Sequence, residues 1–286
     1  MRPRLASFAA TLMLCLCAAA GPAAAQGAPS PAVDLELVLA VDVSGSIDAD
    51  EAALQRQGYV DAFRHPEVIA AIRSGMTRRI AVAYFEWAGE GWQTPVLDWA
   101  VIETEGDARA FADRLADAPI GTGPWTSISS AIDFAVPMFD ANGIEGTRRV
   151  IDVSGDGTNN TGRPVPAARD EAVARGIVIN GLPIMNDRLN VSRPPMPNLD
   201  LYFRNCVIGG PGAFVVTAAD FRAFGEAIRR KLVLEIAGAV PPAGRLTERA
   251  PGHAQFPPDG RHADGRPWIP PCDFGERRFR GLIEDP

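Results

Sequence analysis

Three short segments far apart in the chain carry the residues best suited to chemistry. They are Asp42, Ser44 and Ser46 in Asp42-Val43-Ser44-Gly45-Ser46, Thr126 in Gly123-Pro124-Trp125-Thr126-Ser127, and Asp156 in Ser154-Gly155-Asp156-Gly157. Two carboxylates and three hydroxyls are hard oxygen donors, the kind a small cation such as Mg²⁺ takes in near-octahedral geometry. Ser44 and Ser46 would also shape a turn, and Asp-Gly is a common turn dipeptide. The joint pattern, with each segment beside an apolar run, argues for a divalent-cation site. Ser127, Ser129 and Thr122 flank Thr126 and are alternative hydroxyl donors.

The elements that must bring these segments together are legible around them. Residues 35–41 form an apolar run of β type that stops at Asp42. Asp48 with Glu51 three residues on has capping-box spacing and starts a helix, which breaks or kinks near His65-Pro66. Residues 79–87 and 94–102 read as two strands in a hairpin, 107–116 as a helix, and 127–139 as a helix kinked by Pro137. A strand over 149–153 ends at the Gly-Asp-Gly turn; a helix over 167–174, strands over 176–184 and 213–217, and a closing helix over 219–236 complete the order. Alternating strands and helices predict an α/β fold with a doubly wound, mostly parallel central sheet flanked by helices on both faces. Such sheets hold ligands beyond the carboxyl ends of their strands, where strand order reverses. Asp42 and Asp156 both follow strand ends. Asp152, inside a strand covered on both faces, needs a partner and reads as structural. Residues 186–211, with Arg193-Pro194-Pro195-Met196-Pro197, read as a surface excursion with a short helix.

The Asp-x-Ser-x-Ser pattern at 42–46, with the distant Thr126 and Asp156, resembles the metal-ion-dependent adhesion site of the von Willebrand factor A family. The resemblance covers about residues 33–238 and implies that family's Rossmann-like fold. It also implies that Ser44, Ser46 and Thr126 bind the metal directly while Asp42 and Asp156 act mainly through water. The expected cation is Mg²⁺, with Mn²⁺ and Ca²⁺ as alternatives. The expected partner is a protein supplying an Asp or Glu to the metal. Trp125 departs from the commoner Gly-Gly-Thr form of the loop. The run Ser-Gly-Asp-Gly-Thr-Asn-Asn further resembles a bacterial subgroup whose function is unknown. Trp125, Glu86 and Trp87 are candidate partner contacts on this face, and Asn159 and Asn160 are candidates to hold the metal's waters.

Composition bounds what else the chain does. Its start has the charged, apolar and small-residue order of a secretory signal, with cleavage expected after Ala25 and a periplasmic or secreted destination. The apolar core of that signal is short of the roughly 20 residues that span a bilayer, and no later stretch reaches that length either. Residues 26–33 read as a linker, 34–238 as the domain, and 239–286 as a Pro/Gly/Arg-rich tail that wraps the domain or stays partly disordered. Losing Arg2 and Arg4 with residues 1–25 takes the formal charge from −7 to −9, which argues against nucleic acid as partner. Cys206 and Cys272 remain, to be read as one disulfide or as two separate buried thiols. A metal-dependent hydrolase is the alternative function, and a purely structural metal is a third. Catalysis is not expected, because His65 lies on the first helix and His253 and His262 lie in the tail, so none points at the site as a general base.

Overall fold

The computed structural model describes residues 30–140, 142–185, 196–239, 261 and 266–284. The expected signal sequence, the first half of the linker, the Pro-rich run at 193–195 and residues 240–260 of the tail lie outside the described residues. In chain order the elements are β1 (Ala32–Val33), β2 (Leu35–Asp42), α1 (Ala49–Arg64), α2 (Pro66–Ser74), β3 (Ile80–Trp87), β4 (Gln93–Ile102) and α3 (Glu105–Asp117). There follow α4 (Ile128–Ala135), β5 (Glu145–Gly146), β6 (Arg149–Gly155), α5 (Val165–Ala174), β7 (Ile177–Pro183), α6 (Leu199–Tyr202), α7 (Phe224–Ala237) and α8 (Phe274–Glu284).

The central sheet has the order β4-β3-β2-β6-β7, parallel except for the β3–β4 hairpin. All eight residues of β2 are buried, as a strand covered on both faces requires. Its side chains alternate between two cores. Leu35, Leu37, Leu39 and Val41 meet Tyr59 and Phe63 of α1, Phe111 of α3, and Phe224 and Ile228 of α7. Val38 and Ala40 meet Ile128 and Ile132 of α4, Val165 of α5, and Tyr202 of α6. The chain runs outward from β2 through β3 to β4, then returns to lay β6 and β7 on the other side. Strand order therefore reverses between β2 and β6, whose carboxyl ends carry Asp42 and lead into Asp156.

Local signals act as expected at α1 and its break. Asp48 Oδ1 accepts from the Glu51 amide at 2.8 Å, and Glu51 Oε2 accepts from the Asp48 amide at 3.0 Å. His65 ends α1 and caps α2, whose first residue is Pro66. The α4 helix gives way at Pro137 to a 3₁₀ turn, Val136–Phe139.

Four expectations change. Residues 32–33 form β1, paired in parallel with β5, and are not linker. Residues 213–217 do not make a continuous strand; they pair with β7 at the isolated bridge Gly181↔Val215, and a second bridge, Ile184↔Ala218, lies just beyond. Gly181 donates and accepts backbone bonds there, but Pro183 has no N–H to give Val216, so the ladder is interrupted. The closing helix begins at Phe224 instead of 219, because Asp220 Oδ1 accepts from the Ala223 amide at 2.7 Å and holds a turn ahead of it. The short helix expected within 186–211 is present, but it is packed inward and is not part of a surface excursion. Leu199, Tyr202, Phe203, Cys206 and Val207 recur at helical spacing over α6 and the π-helical turn Phe203–Val207, and all are buried in the second core.

Beneath the sheet lies a buried charged trio. Lys231 of α7 sits 2.6 Å from Asp152 Oδ1 of β6 and also pairs with Glu235 one turn on. Asn180 of β7 donates to Glu235 Oε1 at 2.8 Å. Burial pushes the carboxyls of Asp152 and Glu235 up, Glu235 to about 7, while the ammonium opposes the shift.

Candidate metal centre

The first segment is fixed by β2 itself. Asp42 closes the strand, wholly buried, and its Oδ1 accepts from the Ser44 amide at 2.7 Å, turning the chain sharply enough to aim Ser44 and Ser46 back over the sheet edge. The second segment docks by backbone bonds. Gly123 bridges Ser44, Gly89 donates to the Pro124 carbonyl at 2.9 Å, and Ser127 donates to the Ala88 carbonyl at 2.8 Å. Between them Trp125 takes the left-handed conformation at φ +62°, which delivers Thr126 to the site. The third segment follows β6, the neighbour of β2.

The side-chain oxygens of the three segments form one chain. Thr126 Oγ1 is 3.3 Å from Ser44 Oγ, Ser44 Oγ is 3.1 Å from Ser46 Oγ, and Ser46 Oγ donates to Asp156 Oδ1 at 2.7 Å. The flanking hydroxyls are engaged elsewhere. Ser127 Oγ meets Ser130 and the Thr161 carbonyl, and Ser129 bonds Asn159. Thr122 is exposed.

Two observations test whether these residues fit a cation. Asp42 Oδ2 is buried without a hydrogen-bond partner, the condition in which a carboxylate oxygen calls for an ion or an ordered water. Gly155 leaves room beside it, since a Cβ there would stand 2.8 Å from that oxygen. Among the described residues no three His, Cys, Asp or Glu side chains gather as a metal cluster, so the donor set is dominated by hydroxyls. Such a set suits a hard cation of the Mg²⁺ class rather than one that seeks thiolate or imidazole.

Burial first, and then the charge of Asp156, pushes the Asp42 carboxyl up to about 8. Without a cation the folded protein keeps a proton that the unfolded chain releases above its ordinary value of 3.8. The stability from this group is complete below that value and is lost as pH rises toward 8. In chelator, the denaturation midpoint is expected to fall between about pH 5 and 8. Cation affinity should rise over the same window, because binding must expel the proton. Calorimetric titration of Mn²⁺ in buffers of different ionisation heat checks this, and binding with no proton release would contradict it.

The other candidates divide. Asn160 Oδ1 accepts from the Thr126 amide at 2.8 Å, and its own amide donates to the Thr126 carbonyl at 2.8 Å. Asn159 Oδ1 accepts from the Ser129 amide at 3.1 Å. Both therefore brace the Thr126 loop from the loop that carries Asp156. Trp125 stands on the rim, 45% exposed. Glu86 and Trp87 are corrected: they are 2% and 0% exposed and cannot meet a partner on this face. Glu86 turns under the rim to pair with Arg56 and accepts from the Gly121 amide at 2.8 Å, while Trp87 packs into the second core. Arg56 also donates to the carbonyls of Leu115 and Ala118, both at 2.9 Å, tying α1 to the end of α3.

The tail is tethered by a disulfide, one of the two expected readings of Cys206 and Cys272, but sequence reasoning did not foresee the helix that follows it. Cys206 and Cys272 form a disulfide, with Cα atoms 5.4 Å apart. Just beyond it, α8 brings Phe279 edge-on to Trp125 at 4.4 Å between ring centroids, and Glu276 Oε1 accepts from Asn159 Nδ2 at 2.8 Å. The apolar positions Phe274 and Phe279 with Glu276 between them were the available signal. Among the described residues no helix is long and apolar enough to cross a membrane.

Several solved structures are similar to this chain. The pilus adhesin SpaC from Lactobacillus rhamnosus GG, in its open conformation, is 12% identical over 72% of this chain and 30% of that one, with a TM-score of 0.52. Proximal thread matrix protein 1 from the mussel byssus, in a structure with a zinc-occupied MIDAS motif, is 15% identical over 73% of this chain and 49% of that one, at 0.48. A von Willebrand factor type A structure from Catenulispora acidiphila is 14% identical over 72% of this chain and 43% of that one, at 0.48. The chain spans less than half the length of each. At these identities the likeness is one of fold. No curated protein matches the sequence. Residues 32–240, which hold the whole central sheet and all three site segments, match the profile of the family described as "Protein of unknown function (DUF1194)", and the chain belongs to that family.

Proposed function

We propose that this is a secreted or periplasmic von Willebrand factor A-type module that binds a protein partner through a divalent cation of the Mg²⁺ class. The observation that carries the reading is the continuous run of oxygens from Thr126 through Ser44 and Ser46 to Asp156, beside the orphaned Asp42 Oδ2. Ser44, Ser46 and Thr126 would hold the ion directly, and Asp42 and Asp156 would anchor its waters. A cation held largely by neutral hydroxyls keeps most of its charge and attracts one further anionic oxygen, which an Asp or Glu of the partner supplies. Trp125 on the rim offers that partner an aromatic surface.

Binding is favoured over hydrolysis because the described residues place no histidine at the site to act as a general base. His65 stands at the far end of α1, about 24 Å along a 16-residue helix that starts at the site. Asp42 Oδ1 accepts from the Ser44 amide and Asp156 Oδ1 accepts from Ser46 Oγ, so one oxygen of each carboxylate is already engaged in the loops.

The test is titration of Mn²⁺ into chelator-treated protein with water-proton relaxation as readout. One bound ion with exchangeable water is expected, and that water should be displaced by a peptide bearing an accessible Asp. An ion that binds without exchangeable water would mark a structural site instead, and no bound ion would remove the reading.

A further inference from the structure

We propose that α8 is a positioning element of the cation site, acting on the two loops that supply Thr126 and Asp156. This rests on the cation-binding reading above. Asp42, Ser44 and Ser46 belong to the end of β2 and need no help from the tail. Thr126 and Asp156 sit on separate loops, and α8 touches both.

On the Asp156 side, Glu276 Oε1 accepts from Asn159 Nδ2 at 2.8 Å, and the Oδ1 of the same amide accepts from the Ser129 amide at 3.1 Å. One side chain thus joins α8, the loop after β6, and the start of α4. Contact there is very close. A Cβ on Gly275 would lie 2.0 Å from the Asn159 carbonyl oxygen and 2.6 Å from Thr158 Oγ1, so only glycine lets the helix approach this far. On the Thr126 side, Phe279 meets the Trp125 ring edge-on, at 69° between planes. Trp125 is the residue whose left-handed backbone delivers Thr126, a conformation that costs a non-glycine residue energy and persists only when its surroundings hold it.

The segment leading into α8 is itself anchored. Cys272 is bonded to Cys206, which is buried in the second core, and Asn198 Nδ2 donates to the Trp268 carbonyl at 2.7 Å. Tyr202 Oη accepts from the Asn159 amide at 3.2 Å and donates to the Cys272 carbonyl at 3.4 Å, so loop and tail share one phenol. The placement of α8 is thereby transmitted to the loops.

The experiment uses the chain from residue 26 to its end, with Mn²⁺ as probe. Gly275→Ala should push α8 off the loop and weaken Mn²⁺ binding by about 10- to 100-fold, as loss of a partner behind metal ligands does. Its unfolding temperature in chelator should stay within a few degrees of the parent, since the two cores are untouched. Glu276→Ala should weaken binding, whereas Glu276→Gln, which keeps the acceptor oxygen for Asn159, should restore it. Parent-like Mn²⁺ affinity in both Gly275→Ala and Glu276→Ala would overturn the proposal while leaving the cation site standing. No Mn²⁺ bound by the parent would overturn the site itself, and this proposal with it.

Discussion

In Asp42→Ala, the rise in unfolding temperature that Mg²⁺ gives the parent protein is expected to vanish. At a cation concentration a hundred times its dissociation constant, binding to the folded state alone adds about 2.7 kcal/mol, several degrees in a domain of this size. Asp42 is placed to carry most of that gain. Its Oδ1 sets the turn that presents Ser44 and Ser46, and its Oδ2 is the buried oxygen without a partner. In chelator the ordering should differ. The parent then buries a carboxyl next to Asp156 with no cation to offset the cost, so the variant should unfold at nearly the same temperature despite losing the bond to the Ser44 amide. Differential scanning calorimetry with Mg²⁺ and with chelator separates the two effects. An equal Mg²⁺ shift in parent and variant would remove Asp42 from the site.

Replacing Lys231 by methionine should cost about 3–5 kcal/mol, the loss expected when one partner of a buried ion pair is removed. Lys231 and Asp152 have fully buried side chains, and Glu235 is buried with them. Without the ammonium, two carboxyl groups face each other in the dry layer between the sheet and α7. Both carboxyls already sit above their ordinary values, so the loss has a definite pH sign. It should be greatest where both would be ionised and should shrink as acid supplies the missing proton. Urea denaturation at about pH 5 and 8 reads this directly. Combining Lys231→Met with Asp152→Asn and Glu235→Gln should recover much of the stability, because a buried pair costs most when only one partner is removed. A loss under about 1 kcal/mol at pH 8 for Lys231→Met alone, the scale of an exposed pair, would show that water reaches the trio.

The sequence made the sheet and its loaded edge legible because both are local signals. Residues 35–41 are apolar on both faces apart from Glu36, and the candidate cation segments are short runs in which residue type and spacing carry the chemistry. The trio was half legible. Asp152 in a covered strand demanded a partner, but nothing in the spacing singled out Lys231, which lies on α7. Glu86 misled because a carboxylate at a strand end reads the same whether it faces solvent or an arginine 30 residues earlier in the chain. The failed strand at 213–217 depended on a proline in its neighbour, which the segment itself does not record. Glu276 and Asn159 are 117 residues apart, and one polar contact at that distance leaves no periodicity to read.

The interruption that Pro183 makes in the outermost ladder has its counterpart at the opposite edge of the sheet. On β4, Pro95 lacks a donor, the pairing with β3 shifts register between Val82 and Tyr84, and the Trp99 amide is occupied by the Asp98 carboxylate at 2.7 Å. A sheet whose two margins are blunted in this way offers a poor template for an extended segment of another chain. Polymerisation by strand addition is therefore disfavoured at both margins.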